Sequence, residues 1–492
     1  MSLPIEAYFL DPHSHGTLQT RIQQMIANNV LTGLLRPGDK LPSSRKLAQH
    51  LGVSRITVTL AYTELLANDY LTAKGRSGYF VSDNAPDPTT YRRPPKRVDA
   101  VDWARALPQR MATQATALKP ADWQSYRYPF VYGQTDPSLF DHANWRLCAL
   151  QALGARDFSA LTSDYHDADD PELTSFLIRQ TLPRRGIYAE PEEVLVTLGA
   201  QNALWLAAQV LLSQRRTAAL EEPGYPALRD ILKLSRCHLS MVEVDADGLP
   251  PEHIPGHTDV IFCTPSHHCP TAATMPLARR DALLERAREI DALIVEDDYE
   301  FEIASKDNPS PALKSLDTEG RVIYVGSFSK SLFPGLRLGY LVASAAFIRE
   351  ARALRATVLR HPPGHLQRTA AYFLARGHYD ALVRKISRAL TNRRRAMLAG
   401  IARHGLNMAG TTAEGGSSLW MRAPEGVDTQ VLADRLRTEG VLIEPGHTFF
   451  GQSNAPRCFY RLGYSSISEA RIEPGLARVA AAINAVASET AQ

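Results

Sequence analysis

Along the first eighty residues the apolar positions recur with helical spacing. Leu18, Ile22, Ile26 and Val30 fall four apart and form one stripe on a helix spanning Thr17 to Val30. The stretch RPGDKLPSSR then carries a turn signal and two cap candidates, Ser43 and Ser44. In the short helix that follows, Leu47, Ala48 and Leu51 share a side and Gly52 stops the chain. Ser54 is the N-cap of a third helix with Val58, Ala61 and Leu65 on its inner face. DYLTAKGRSGYFVS reads as two short β runs around a basic, Gly-containing tip. Three helices followed by a β-wing predict a winged helix-turn-helix over residues 1–81.

The pattern then lapses. Residues 82–125, beginning SDNAPDPTTYRRPPKR, are proline-rich with little periodicity and read as a linker. Trp123, Tyr126, Tyr128, Phe130 and Tyr132 follow as aromatics suited to docking that linker onto the next domain. From Glu193 the runs EVLVT, TAALEE, HLSMVEV, DVIFCTP, ALIVEDDY and RVIYVGSFSK alternate mostly with helical stretches such as NALWLAAQVLL. Strands apolar throughout predict a largely parallel sheet covered on both faces, in a large domain over 126–380. A long basic helix, two more strands and an Ala-rich final helix predict a small α+β lobe over 381–492.

At 492 residues with a net charge of +3, the chain is multidomain, and affinity for nucleic acid has to come from a local basic module. That module is the first one. Arg55, Thr57 and Thr59 open the recognition helix after Ser54, Arg45 lies on the helix before, and Lys74 and Arg76 sit on the wing. The N-terminus lacks the basic flank of a secretory signal, and no apolar run is long enough to span a membrane. Five scattered cysteines argue against a disulfide framework and for the cytoplasm. CTPSHHC has no familiar ligand spacing, so no metal is expected.

One loop, GSFSKSLFPGLR, places Lys330 after a β-run with Ser327 and Ser329 before it and Arg337 beyond. An amine among anion-binding groups suits an aldehyde cofactor that carries a phosphate. TLGAQNAL sets Gly199, Ala200 and Gln201 at a strand-to-helix turn where free N–H groups can cradle that phosphate. VEDDYE ends a buried strand with Asp297 and Asp298, and a carboxylate there can hold a pyridine nitrogen protonated. Tyr225, in EEPGY, offers a flat face to a ring.

With PSSRKLAQHLGVSRITV, EEPGY, TPSHHCPT, VEDDYE and GSFSKSLFPGLRLGY in this order, the chain resembles the MocR/GabR group of GntR-superfamily regulators over nearly its whole length. In that group a winged helix is fused to a fold-type I aminotransferase-like domain that binds pyridoxal 5'-phosphate (PLP). The resemblance implies that Lys330 forms the internal aldimine, Asp297 pairs with the ring nitrogen, Tyr299 contacts the ring hydroxyl and Tyr225 stacks on the ring. It assigns Ser327, Arg337 and the Gly199–Gln201 turn to the phosphate, and Arg461, in YRLGYS, to an effector anion. His267 falls in the family's TPSH segment with no role assigned. A homodimer on double-stranded DNA, tuned by a small amine, is implied as well.

Departures redirect the effector. Ala227 stands where the GABA-responsive relative has a second anion-binding arginine, with Arg229 two residues on. YHDADDP carries acids where YGDPxG is usual, and Ala272 replaces a usual glycine. YGQTDPSLFDHANW and YHDADDP are similar to a subgroup handling taurine or ectoine-derived compounds, so the expected effector is taurine or an ectoine-derived amino acid. Two further readings are a working PLP-dependent aminotransferase with an accessory DNA-binding head, and an empty dimerisation scaffold.

Overall fold

The computed structural model describes residues 3–11, 16–86, 101–107, 119–164, 166–303, 311–410, 416–452 and 454–490, without the side chains of 76, 159, 160 and 490. It divides into two compact units, Met1–Gln109 and Arg110–Gln492. Most of the expected linker, 87–100 and 108–118, lies outside the described residues.

In the first unit, α1 (Leu18–Leu31), α2 (Ser44–Leu51) and α3 (Arg55–Ala67) are each opened by a hydroxyl cap. Thr17, Ser43 and Ser54 accept from the backbone N–H of Thr20, Lys46 and Thr57, which satisfies one orphan donor per helix. α2 ends at Gly52 in the left-handed conformation. β1 (Leu71–Ala73) and β2 (Tyr79–Val81) pair antiparallel as the wing. Ile22, Ile26, Val30, Leu47, Val58, Ala61, Tyr62 and Leu65 form the core. Leu18, expected on the apolar stripe, is instead 45% exposed. It occupies the first helical turn, where side chains lean towards the helix N-terminus and, here, past the core.

The second unit opens with β3 (Tyr128–Pro129) and is built on β4 (Val194–Thr197), β5 (Thr217–Glu222), β6 (His238–Glu243), β7 (Val260–Cys263), β8 (Leu293–Asp297), β9 (Val322–Ser327) and β10 (Gly339–Val342). The strand order is β4-β10-β9-β8-β7-β5-β6, and only β10 runs antiparallel to its neighbours. Alternate residues bury on opposite faces. Leu195, Phe262, Val295 and Val325 pack with the helix Ala200–Leu211, whereas Val194, Val196, Tyr324 and Tyr340 join the core on the other side. The covered, mostly parallel sheet agrees with expectation. β10 was not foreseen, because its four residues directly follow the loop that carries Arg337.

Beyond residue 380 the expectation of two strands falls short. β11 (Asn407–Met408), β12 (Ser418–Arg422), β14 (Glu444–Pro445) and β15 (Phe459–Gly463) form a sheet in the order β11-β12-β15-β14, while β13 (Val441–Leu442) pairs with β3. Three of these strands are two residues long, too short to show a period of two. The helix His378–His404 and the final helix Glu469–Thr490 contribute Ile386, Leu390, Met397, Leu476 and Val479 to the same core as Tyr324 and Tyr340. Trp123 is buried against Val131 and Leu442, and Phe130 is in the main core.

Candidate functional site

The parallel strands end on one edge of the sheet, and the ligand crevice of such a sheet lies outside those carboxyl ends. Gly199 follows β4, Tyr225 follows β5, Cys269 follows β7, Asp297 ends β8, and Ser327 ends β9 with Lys330 just beyond. A cavity of about 160 Å³ opens there, lined by Tyr132, Ala200, Gln201, Tyr225, Cys269, Asp297, Tyr299, Ser327, Ser329, Lys330 and Arg337.

One end of the cavity suits an anion. Gly199 (φ +80°) precedes the helix Ala200–Leu211, whose first N–H groups have no partner within the helix. Arg337 donates from Nη2 to the Leu198 carbonyl (3.2 Å), and a Cβ at Gly199 would stand 3.3 Å from that guanidinium. Ser327 and Ser329 line the same cavity, and the Ser327 hydroxyl accepts from the Ser329 N–H.

The lining also carries one carboxylate. Asp297 is buried, and its Oδ1 has no hydrogen-bond partner. Burial first, then Asp298 and Glu221, push its pKa up to about 7. Asp298 turns away, pairing with Arg185 at 2.7 Å and accepting from the Tyr324 hydroxyl. The second aspartate of VEDDYE is therefore structural. Lys330 is partly buried, and loss of bulk water lowers its pKa. Its Nζ lies 4.3 Å from the Tyr132 ring centroid. A Cβ at Gly133 would come within 2.7 Å of that nitrogen, so the chain passes close to Lys330 because no side chain intervenes.

These groups fit PLP. An orphaned buried carboxylate oxygen meets a protonated ring nitrogen, an amine depressed towards its neutral form meets an aldehyde, and a helix N-terminus with an arginine and two serines meets a phosphate. Tyr225 and Tyr299 both line the space for a ring. The Tyr299 hydroxyl, expected to contact the ring hydroxyl, donates to the His267 carbonyl at 2.8 Å.

Arg461, expected to bind the effector anion, is buried and does not line the cavity. Its Nε donates to Glu444 at 2.8 Å, and its guanidinium lies 4.1 Å from the Tyr132 centroid and 4.6 Å from that of Phe449. Burial opposes its charge, but Glu444 outweighs that and keeps the group ionised. Nη1 reaches 3.7 Å from Cys269 Sγ, so the terminal edge stands behind the cavity wall. Tyr132, expected to dock the linker, lies against both cationic groups and donates to Glu300 Oε1 (2.8 Å). Glu300 also accepts from Ser417 and stands 3.3 Å from His267. Glu444 went unread because it is distant in sequence from Arg461, and Glu300, although it ends VEDDYE, because its partners Tyr132 and Ser417 are distant.

The departures resolve into structural parts. Arg229 donates to the Thr448 and Phe449 carbonyls, clamping that loop. Asp169 pairs with Arg352 and Arg355, while Asp170 caps the helix Pro171–Phe176 and pairs with Arg368. Ala272 holds φ +62°, the conformation that favours the usual glycine. Among the described residues no His, Cys, Asp and Glu cluster is placed to hold a metal ion.

On the first unit, Arg45 and Arg55 are exposed at α2 and the start of α3. Ser54 and Thr57 share a 2.8 Å hydrogen bond, and the Thr59 hydroxyl donates to the Arg55 carbonyl, so these hydroxyls are engaged within the helix. The ammonium of Lys74 lies 5.3 Å from the Phe80 centroid, beside Lys40 at 5.8 Å. The side chain of Arg76 is outside the described residues.

A winged-helix unit and a sheet with an amine, an acid and an anion cradle at its carboxyl edge define a class: a DNA-binding module joined to a fold-type I aminotransferase-like unit. Family models agree, with "Bacterial regulatory proteins, gntR family" matching residues 18–81 and "Aminotransferase class I and II" matching 144–479. The chain belongs to the MocR-type transcriptional regulators of the GntR family. It is 56% identical to the HTH-type transcriptional regulator TauR of Rhodobacter capsulatus, over 98% of this chain and all of the relative. It is 30% identical to the probable rhizopine catabolism regulatory protein MocR of Rhizobium meliloti, over 98% and 97% of the two chains. Among solved structures, the α-aminoadipate aminotransferase LysN of Thermus thermophilus, complexed with N-(5'-phosphopyridoxyl)-L-leucine, has TM-score 0.69 at 26% identity, covering 79% of this chain and all of the other. No described helix is long and apolar enough to cross a membrane.

Proposed function

We propose that this transcriptional regulator holds PLP at Lys330 and uses it to sense a small amine bearing an anionic group. The observation that carries this reading is that Asp297, buried and with an unpartnered Oδ1, lines the same cavity as Lys330 and Arg337. When bound, PLP supplies an aldehyde that exchanges one amine for another. Asp297 then holds a proton at the ring nitrogen, Arg337, Ser327 and the Gly199–Gln201 turn hold the phosphate, and Tyr225 covers the ring. Glu444 fixes the plane of the Arg461 guanidinium through Nε, and an incoming carboxylate or sulfonate takes the terminal N–H edge in place of Cys269 Sγ. Both Lys330 and Arg461 lie against the Tyr132 ring, so an amine that reaches both meets that ring as well.

Taurine or an ectoine-derived amino acid has the required pair of groups, and the 56% identity with the regulator named TauR supports taurine. On the DNA side, Arg55 and Arg45 read or grip the duplex, Ser54, Thr57 and Thr59 shape the helix start, and Lys74 and Arg76 on the wing meet phosphates. A homodimer is supported by Leu147 and Leu150, 57% and 55% exposed on the helix His142–Ala152, an apolar strip that a second copy would cover. The protein works in the cytoplasm.

Titrating the purified chain with taurine, ectoine-derived amino acids and GABA while recording absorbance and operator affinity tests the proposal. The expected result is a cofactor spectrum that shifts with one amine, stays shifted, and changes DNA affinity. A depressed lysine beside the cavity is also what proton transfer requires, which favours a second reading as an aminotransferase. Steady conversion to the amine form of the cofactor, reversed by a keto acid, would establish that reading. A chain that binds no PLP would overturn both.

A further inference from the structure

The face of α3 opposite the core is apolar where a solvent-facing helix would be polar. Ile56 is 72% exposed and Leu60 is 48% exposed. They stand one turn apart, with Thr63 a further turn along the same stripe, while Val58, Ala61, Tyr62 and Leu65 bury on the other side. Single exposed apolar residues are ordinary. These two occupy the second residue and second turn of the helix whose N-terminal end faces base edges in a winged helix, next to Arg55. The hydroxyls that would otherwise read bases are committed, Thr57 to Ser54 and Thr59 to the Arg55 carbonyl. What the outer face presents at its leading end is one guanidinium and two branched aliphatic side chains.

From this we infer that Ile56, supported by Leu60, is a specificity-determining residue that packs on the C5-methyl groups of thymine in the major groove. The inference rests on the family's DNA-binding function. The methyl group is the one apolar feature that base edges display in that groove, and an aliphatic side chain recognises it without a hydrogen bond. Arg45 and Arg55, exposed around the stripe, match the phosphate and guanine acceptors of a duplex, so charge complementarity selects DNA over a second protein surface. Because Arg55 and Ile56 are adjacent, each half-site carries a guanine and a thymine within one or two base pairs of each other.

The test uses the full chain and a duplex it selects from a random-sequence library. Each thymine is replaced in turn by deoxyuridine, which removes the methyl and leaves base pairing intact. Loss of about three- to tenfold in affinity is expected at one or two thymines per half-site. In Ile56→Ala the unmodified duplex binds about that much more weakly, and the same uracil substitutions no longer matter, the mark of a direct pairwise contact. Ile56→Val restores part of the uracil sensitivity. A duplex that binds equally with thymine and uracil throughout, or an Ile56→Ala chain that still distinguishes them, overturns the inference. An Ile56→Ala chain with unchanged DNA binding but an altered oligomeric state assigns the stripe to a protein contact and also overturns it. If the library yields no selected duplex, DNA binding itself fails, an outcome separate from methyl-insensitive binding, and the inference falls with it.

Discussion

Asp297→Asn measures how strongly the cavity resists a second charge when no cofactor is bound. In the folded chain the carboxyl titrates near 7, against 3.8 for a free aspartate, because burial and the neighbouring Asp298 and Glu221 penalise the ionised form. A folded pKa raised above the unfolded one contributes stability that is fully present below about pH 4 and lost as pH rises through 7. At about 1.4 kcal/mol per pH unit, the wild-type cofactor-free chain loses roughly 3 kcal/mol from this group between pH 5 and pH 8. Asparagine cannot ionise, but it leaves a buried amide without partners, a cost of about 1–3 kcal/mol at every pH. The stability of the variant relative to the wild type therefore rises by roughly 3 kcal/mol from pH 5 to pH 8. Differential scanning fluorimetry of both cofactor-free chains across this range reads that change as a shift of roughly 3–4 °C in their melting-temperature difference. A difference that stays flat from pH 5 to pH 8 would show that Asp297 is ionised without penalty and refute the electrostatic account of the site.

Other positions give separate readouts. Gly199→Ala forces a left-handed backbone onto alanine and sets a Cβ 3.3 Å from Arg337, so PLP affinity measured by fluorescence quenching should fall at least about tenfold while the first unit folds normally. Glu444→Gln removes the charge that orients Arg461; the cofactor should still bind, but the amine concentration needed to shift its spectrum should rise about tenfold or more. Arg55→Ala should weaken specific DNA binding by roughly 1–3 kcal/mol in a gel-shift assay if it reads a base, and unchanged binding would remove it from the interface. Tyr132→Phe, which loses only the hydrogen bond to Glu300, should alter the amine response more than PLP affinity, as separate titrations would show.

Much of this protein was legible before any coordinates. Ser43, Gly52 and Ser54 act locally, through a cap hydroxyl or a permitted backbone angle, so α2 and α3 could be bounded from the residues alone. The buried strands could be found because parallel strands covered on both faces are apolar without interruption. Lys330, Asp297, Arg337 and the Gly199–Gln201 turn could be proposed because each follows or ends such a strand, and strand ends converge on one edge. The partners they meet there depended on the folded chain. Sequence spacing cannot tell that Asp297 faces the cavity while Asp298 turns to Arg185, since adjacent residues on a strand point to opposite faces and only the packing decides which face is which. Nor can it tell that Glu444 neutralises Arg461, because that pairing is set by the register of two short strands. Tyr132 reaches Lys330, Arg461 and Glu300 across more than 160 residues, and Ile56 reveals itself only as an apolar side chain that the core leaves in water. Periodicity and caps are properties of neighbours in the chain, whereas burial and charge pairing are properties of neighbours in space, and those exist only once the tertiary fold has brought them together.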